Sequence, residues 1–140
     1  MPYNILIVDD SGSMRKVIKK ILRLSGFKMG DCLEACNGQE ALDMLENHWV
    51  DLILSDIHMP VMDGFGLLRA LREHDGWNDL PVVLITTEAN EDRIREAMSL
   101  GAKGYVRKPF RPEEIRAYLL KIMGDTDGDD VAAGDEECDF

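Results

Sequence analysis

The sequence has no apolar stretch long enough to cross a membrane, and it has few cysteines. A spanning helix needs about 20 consecutive apolar residues, and no segment approaches that length. The opening segment MPYNILIVDD has neither the basic region nor the cleavable apolar region of a secretory signal. We therefore expect a cytoplasmic protein without membrane insertion, and the 3 cysteines agree with a reducing compartment.

Two of the cysteines, Cys32 and Cys36, fall within one predicted strand. Four residues of strand separate them by about 13 Å, whereas a disulfide needs Cα atoms within about 7 Å of each other. A bridge between them is therefore excluded. We expect two free thiols, buried or half-buried, rather than a pair of metal ligands.

Positive charge is also scarce, since 27 acidic residues outweigh 16 basic ones and give a formal net charge of −11. This balance argues against a nucleic-acid-binding surface, because such domains are usually basic. Residues 125–140 hold eight of the acidic residues and no basic one, which leaves 19 acidic and 16 basic residues in 1–124. We expect one folded domain over 1–124 and an acidic, disordered tail over 125–140.

The tail contains part of a calcium-binding pattern. Asp125, Asp127, Asp129 and Glu136 occupy the first, third, fifth and twelfth positions of an EF-hand loop. The sixth position requires glycine for a sharp turn, but it is Asp130. Too few residues follow Glu136 for an exiting helix, so we favour a solvated acidic tail over a calcium site.

Strand-like and helix-like segments alternate five times between Tyr3 and Met123. The predicted strands are Tyr3–Val8, Asp31–Cys36, Asp51–Ser55, Pro81–Thr86 and Gly104–Val106. The predicted helices are Ser13–Leu24, a helix capped by Asn37 that ends at Asn47, Gly64–Glu73, a helix capped by Asn90 that stops at Gly101, and one that begins at Pro112. Such alternation predicts an α/β domain with a doubly wound parallel sheet and helices on both faces. We also expect Met98 to face inward, and Trp49 and Trp77 to pack at loop ends.

Charged side chains lie at or just beyond the ends of three predicted strands. Asp9 and Asp10 follow ILIV, Asp56 follows DLILS, and Lys108 lies in GYVRKPF. Ligands of a parallel α/β sheet bind outside the carboxyl ends of its strands, so we expect these side chains to lie close together. Three carboxylates repel one another unless a cation holds them, and oxygen ligands suit Mg²⁺. Lysine supplies a point charge for a phosphoryl group. The pattern therefore predicts metal-assisted phosphoryl chemistry.

Four segments in this order, ILIVDDSGSMR, DLILSDIHMPVMDG, LITTEA and KGYVRKPF, resemble the motifs of response-regulator receiver domains, in particular those of CheY-like stand-alone chemotaxis regulators. The resemblance extends from Tyr3 to Met123. It implies a flavodoxin-like fold with five parallel strands in the order 2-1-3-4-5. It also implies a cis peptide bond between Lys108 and Pro109.

The resemblance assigns roles to the residues at the strand ends. It implies that Asp56 is the phosphoacceptor and that Lys108 pairs with the phosphoryl group. For Mg²⁺ it implies direct binding by Asp10, contact mainly through water by Asp9, and a contribution from the backbone carbonyl of His58. The single metal ion would therefore be surrounded by Asp9, Asp10, Asp56 and His58.

Other positions are implied to transmit or tune the signal. Thr86 would donate its hydroxyl to a phosphoryl oxygen, and Tyr105 would be the aromatic switch residue. His58 and Glu88 would flank the site and influence the lifetime of the phosphorylated state. Gly64 and Gly66 would let the loop after Asp56 turn tightly.

The implied function is that of a stand-alone response regulator in a two-component pathway, with chemotaxis or motility as the implied process. The partners would be a CheA-like sensor histidine kinase and a downstream protein such as a flagellar motor switch component. The alternative is a phosphorelay intermediate that passes its phosphoryl group to a histidine phosphotransfer protein. Either protein assists its own Mg²⁺-dependent phosphorylation and dephosphorylation without being an enzyme. A haloacid-dehalogenase-type enzyme is disfavoured, because Asp9-Asp10-Ser11 lacks that family's D-x-D spacing.

Overall fold

A computed structural model describes residues 2–123 of the chain. The expectations for residues 125–140, both the acidic tail and the partial EF-hand pattern, lie outside the described residues. The elements alternate in chain order as β1 (Tyr3–Val8), α1 (Gly12–Ser25), β2 (Met29–Ala35), α2 (Gly38–Asn47), β3 (Leu52–Ser55), α3 (Gly64–Arg72), β4 (Val82–Thr86), α4 (Glu91–Ser99), β5 (Gly104–Arg107) and α5 (Pro112–Met123).

The five strands form one parallel sheet in the order β2-β1-β3-β4-β5. The predicted flavodoxin-like order is therefore confirmed. In this order β1 and β3 are neighbours at the centre, so their carboxyl ends place Asp9 and Asp56 next to each other. The next strands along the sheet, β4 and β5, bring Thr86 and Lys108 to the same edge.

The side chains of the central strands alternate between two cores, one on each face of the sheet. Ile5, Ile7 and Leu54 pack with α1 and α5, whereas Leu6, Val8 and Ile53 pack with α2, α3 and α4. All six are at most 1% exposed. Burial of each such side chain stabilises the fold by about 1.5–3 kcal/mol, which holds the strand ends rigidly in place.

Side-chain caps begin four of the helices, and two of the caps, Asn37 and Asn90, are predicted from the sequence. Ser11, Asn37, Asp63 and Asn90 each accept a hydrogen bond from a backbone N–H in the first turn. Asn37 accepts from the Glu40 N–H at 2.8 Å, and the Glu40 carboxylate reaches one residue beyond the N-cap to accept from the Cys36 N–H at 2.7 Å, in a variant of the predicted capping box. Gly26 ends α1 with a left-handed φ of 79°, a conformation that glycine adopts without steric cost. The Lys108–Pro109 bond is cis, as the resemblance implies.

Two side-chain predictions are wrong. Met98 is 39% exposed, because α4 buries only Ile94 and Ala97 and its apolar stripe is too narrow to include a third position. Trp49 is 76% exposed, and its indole N–H donates to Asp51 at 2.8 Å, which holds the ring at the surface. Trp77 does pack, since it is half-buried and stacks on His74.

Cys32 and Cys36 are free and half-buried, which confirms the sequence expectation. Burial raises the pKa of the Cys32 thiol, and a hydrogen bond with Glu40 raises the pKa of Cys36. Since the thiolate is the reactive form, both side chains are poor nucleophiles at neutral pH. Over residues 2–123, none of the helices combines the length and the apolar character that crossing a bilayer demands.

Candidate functional site

Backbone hydrogen bonds extend the sheet by one residue beyond its strands and position the functional side chains. The Asp56 N–H donates to the Val8 carbonyl at 2.9 Å, and the Lys108 N–H donates to the Thr86 carbonyl at 2.9 Å. The Asp9 N–H donates to the Ala35 carbonyl at 3.1 Å. The predicted cluster of strand-end residues is therefore built on a direct continuation of the sheet.

Lys108 joins two carboxylates at the centre of this cluster. Its Nζ lies 3.1 Å from Asp9 Oδ2 and 3.2 Å from Asp56 Oδ2. The side chains are 11%, 3% and 15% exposed for Lys108, Asp9 and Asp56. Charges at this depth interact more strongly than they do in water. Because one cation bridges two anions, the cluster of the three side chains has an excess of negative charge.

The other oxygen of each carboxylate is held by the backbone. Asp9 Oδ1 accepts from the Ser11 N–H at 2.9 Å, and Asp56 Oδ1 accepts from the Ile57 N–H at 2.7 Å. Both carboxylates are thus oriented by a local hydrogen bond on one side and by Lys108 on the other. Preorganisation of this kind lowers the cost of placing a reacting group.

Asp10 lies at the same strand end but is exposed, and in the described part of the chain no hydrogen bond or ion pair engages it. Within residues 2–123, no three His, Cys, Asp or Glu side chains are arranged to hold a metal ion by themselves. Mg²⁺ keeps several waters and takes only one or two carboxylates directly. The carboxylates of Asp9 and Asp56, with exposed Asp10 next to Asp9 in the chain, are oxygen donors of the kind that a hydrated Mg²⁺ prefers.

Thr86 is fully buried at the end of β4. Its hydroxyl oxygen accepts from the Glu88 N–H at 3.0 Å. The hydroxyl therefore links the site to the loop between β4 and α4, and its own proton remains available to a new acceptor.

Tyr105 lies on β5, opposite Leu84 of β4, and is 40% exposed. Its N–H donates to the Tyr118 hydroxyl at 2.9 Å. A Cβ at Gly104 would collide with that same hydroxyl, which explains the glycine there. The Tyr105 side chain faces a groove of about 320 Å³ that α4 also lines, through Ile94, Arg95 and Met98 among others.

His58 and Glu88 form a contact across the mouth of the site that the sequence does not predict. His58 Nε2 lies 2.8 Å from Glu88 Oε1. The Asn90 N–H, and to a smaller extent His58, lower the pKa of Glu88. The sequence places both residues beside the site, but it carries no signal that they meet, because they come from loops 30 residues apart.

Gly64 and Gly66 lie in the first turn of α3, in agreement with the predicted helix Gly64–Glu73. The Gly64 N–H donates to the Ile57 carbonyl at 2.8 Å and so closes the loop after Asp56. Gly64 is required for close approach, because a Cβ there would lie 2.7 Å from the Asp56 carbonyl oxygen. The residue in the loop with a left-handed backbone is Val61, at φ 68°.

Val61 is expected to store strain beside the site. A β-branched residue in the left-handed region costs about 1–2 kcal/mol, and this side chain is 84% exposed, so it recovers little by burial. Val61→Asn should therefore raise the free energy of unfolding by about 1 kcal/mol, measured by urea denaturation. Val61→Ala removes the branching but keeps the Cβ, so its free energy of unfolding should rise by less than that of Val61→Asn. Equal stability of the Asn variant and the parent would show that the loop carries no such strain.

The comparisons with known proteins agree with this geometry. The family model for the response regulator receiver domain matches residues 5–120. The chain belongs to the response-regulator receiver family. It is 42% identical to the chemotaxis protein CheY of Pseudomonas aeruginosa, over 89% of this chain and 98% of that protein.

Solved structures of receiver domains are similar to the whole described fold. The chemotaxis response regulator CheY4 of Vibrio cholerae superposes with a TM-score of 0.76 at 33% identity, over 87% of this chain and 99% of that one. The CheX-CheY-BeF3-Mg²⁺ complex of Borrelia burgdorferi contains a chain with a TM-score of 0.77 at 30% identity, covering 88% of this chain and 90% of that one. The receiver family accepts phosphoryl groups in two-component signalling, and this chain is a receiver domain of the CheY-like kind.

Proposed function

We propose that this receiver domain is a phosphorylation-controlled regulator of chemotaxis or motility, and that Asp56 is its phosphoacceptor. The observation that carries the proposal is Lys108, whose ammonium bridges Asp56 and Asp9 at the carboxyl edge of the sheet. A nucleophile, a cation and a second carboxylate are the parts that phosphoryl transfer to a carboxylate requires. The likeness to chemotaxis proteins of the CheY type supports the process.

In this mechanism Asp56 Oδ2 forms a bond to phosphorus as the bond between phosphorus and the donor breaks. The leaving group departs with the electron pair, and an aspartyl phosphate remains. The Ile57 N–H holds the other oxygen, Oδ1, so that the carboxylate cannot rotate away. Lys108 already contacts Oδ2 and is placed to follow the negative charge from the carboxylate onto the phosphoryl oxygens. Mg²⁺, when bound, supplies further charge neutralisation.

The residues that would hold Mg²⁺ are Asp9, Asp10, Asp56 and the backbone carbonyl of His58. Of these, Asp9 and Asp56 lie together on Lys108, and exposed Asp10 follows Asp9 directly. The domain would therefore assist its own phosphorylation and dephosphorylation without acting as an enzyme on other substrates.

The phosphodonor would be a CheA-like sensor histidine kinase, and the cell compartment the cytoplasm. The output would be altered binding of a downstream protein, for example a flagellar motor switch component. The groove between α4 and β5 supports this, because exposed Tyr105 and Met98 share it with the charged side chains of Glu91, Arg95 and Arg107. The exposed Met98 contradicted the sequence prediction, and this groove accounts for its position.

The test is labelling of the full chain with acetyl phosphate and Mg²⁺. We expect one phosphoryl group per chain, stable in acid and labile in base, as an acyl phosphate should be. Chelation of the metal should abolish the label. A label that is labile in acid and stable in base would instead mark a histidine, and would contradict the proposal.

Asp10→Ala should weaken Mg²⁺ binding by at least about tenfold, because it removes a direct carboxylate ligand. Titration calorimetry of the unphosphorylated protein measures this without any activity assay. Asp75→Ala is the matched control, since Asp75 is exposed near the opposite edge of the sheet and should bind Mg²⁺ like the parent. An unchanged affinity in Asp10→Ala would remove Asp10 from the metal site.

A further inference from the structure

The outer face of α1 is basic although the chain as a whole is strongly acidic. α1 contains five basic residues and no acidic one, in a protein with a net charge of −11. Two of the five form ion pairs with Glu34 of β2: Arg15 Nε lies 2.9 Å from Glu34 Oε1, and Lys19 Nζ lies 3.3 Å from Glu34 Oε2. The other three, Lys16, Lys20 and Arg23, are exposed and have no carboxylate within ion-pair distance in residues 2–123.

The three unpaired cations share one face of the helix with two exposed apolar side chains. Helical spacing aligns Lys16, Lys20 and Arg23 with Val17 and Leu24, which are 47% and 66% exposed. We call these five residues the α1 basic face. A helix face that combines unpaired cations with exposed aliphatic side chains suits an occupant that is acidic and carries some apolar residues.

The part of the chain that follows Met123 is acidic and contains some apolar residues. Residues 125–140 carry eight acidic and no basic side chains, with Val131, Ala132 and Ala133 between the acidic clusters. These residues therefore complement the α1 basic face in both charge and apolar content.

The described chain ends on α5, which is a neighbour of α1. α5 packs against α1, and a Cβ on Gly26, at the end of α1, would lie 3.9 Å from Arg116 of α5. Met123 joins the same core cluster as Phe27 and Met29, which follow α1. Sixteen residues reach up to about 55 Å, whereas the 14-residue α1 is about 21 Å long. A segment tethered over this distance has an effective concentration at the α1 basic face on the order of millimolar.

We propose that residues 125–140 dock in cis on the α1 basic face. Each exposed ion pair contributes little, so the contact is a sum of weak pairs that salt screens. Val17 also lines an apolar groove of about 300 Å³ that extends to Lys108. The α1 basic face is therefore continuous, through this groove, with the surface around Lys108.

The experiment uses the native cysteine in the tail. Cys138 carries a nitroxide in a full chain with Cys32→Ala and Cys36→Ser, and broadening of backbone amide signals by the label reports which residues the tail visits. We expect the strongest broadening at amides 16–24. It should disappear in about 0.5 M salt, where the Debye length is only about 4 Å.

Matched variants separate docking from mere proximity. Changing Lys16, Lys20 and Arg23 to Gln should abolish the broadening of α1, as should conversion of the eight tail acids to their amides. Changing Arg95, Lys103 and Arg107 to Gln alters the net charge equally on the α4–β5 side and should leave it intact.

Three outcomes would overturn the proposal. The first is broadening of α1 that persists in the Lys16, Lys20 and Arg23 variant, and the second is broadening concentrated on another face. The third is broadening that arises only between a labelled chain and a separate isotope-labelled copy, which would mean association of two molecules. The amide spectrum of each variant also verifies that the domain is folded.

Discussion

Asp56→Asn is expected to accept no phosphoryl group from acetyl phosphate under conditions that label the parent. The amide lacks the negative charge that makes a carboxylate oxygen nucleophilic toward phosphorus. It also deprives Lys108 of one of its two anionic partners, so the loss affects both the nucleophile and its orientation. Intact-mass measurement after incubation with Mg²⁺ and acetyl phosphate gives the labelled fraction.

The loss should not come from unfolding. The amide in Asp56→Asn keeps the shape of the carboxylate, can still accept from the Ile57 N–H, and relieves the repulsion between positions 9 and 56. Asp75→Asn is the control for a carboxylate lost at an exposed position near the other edge of the sheet, and it should label like the parent. Labelling of Asp56→Asn to the parental extent would assign the phosphoacceptor to another residue.

The sequence predicts the strands well because the parallel sheet is buried on both faces. The run Tyr3–Val8 has the same bounds in the structure, and β3 and β4 each differ by one residue from the prediction. The edge strand β2 has no regular alternation of buried and exposed residues, and it begins two residues earlier than predicted. Without that alternation, periodicity does not locate the start of the strand.

Side-chain exposure is harder to predict than the elements themselves. Met98 and Trp49 are apolar, and sequence alone favours burying them. Their exposure depends on how wide a stripe α4 presents to the sheet and on the hydrogen bond from Trp49 to Asp51. Neither feature can be read from the apolar character of the residue itself.

The sequence predicts which residues meet at the site, but it does not predict the hydrogen bonds and ion pairs that join them. The ends of adjacent parallel strands must converge, so Asp9, Asp56 and Lys108 could be placed together. The bridging role of Lys108, the backbone donors to each carboxylate, and the contact between His58 and Glu88 depend on loop conformations. Loops carry no periodic signal, and here one of them contains a left-handed Val61 that no propensity predicts.

Thr86→Ala is expected to accept a phosphoryl group on Asp56 but to lose the phosphorylation-dependent gain in partner affinity. An aspartyl phosphate brings charge and acceptor oxygens to the strand ends. The Thr86 hydroxyl, which now accepts from the Glu88 N–H, can donate its proton to one of those oxygens. A shift of Thr86 toward the phosphoryl group changes the loop that leads into α4.

That loop connects the site to the groove in which Tyr105 lies. Glu88 and Ala89 line the groove together with Met98 and Tyr105, so a rearrangement at Thr86 alters its shape. Inward rotation of Tyr105 would then favour one conformation of this surface. A phosphoryl group changes partner affinity only to the extent that the partner binds the two conformations differently.

The measurement is the affinity of the downstream partner with and without beryllofluoride and Mg²⁺, which together mimic the phosphorylated state. Thr87→Ala is the matched control, because Thr87 is the exposed neighbour and makes no hydrogen bond to the Glu88 loop within the described residues. The parent and Thr87→Ala should gain affinity equally, whereas Thr86→Ala should gain almost none. Loss of the buried hydroxyl should cost only about 1 kcal/mol of stability, so a variant that stays folded, binds beryllofluoride and still shows the parental gain would exclude Thr86 as the coupling residue.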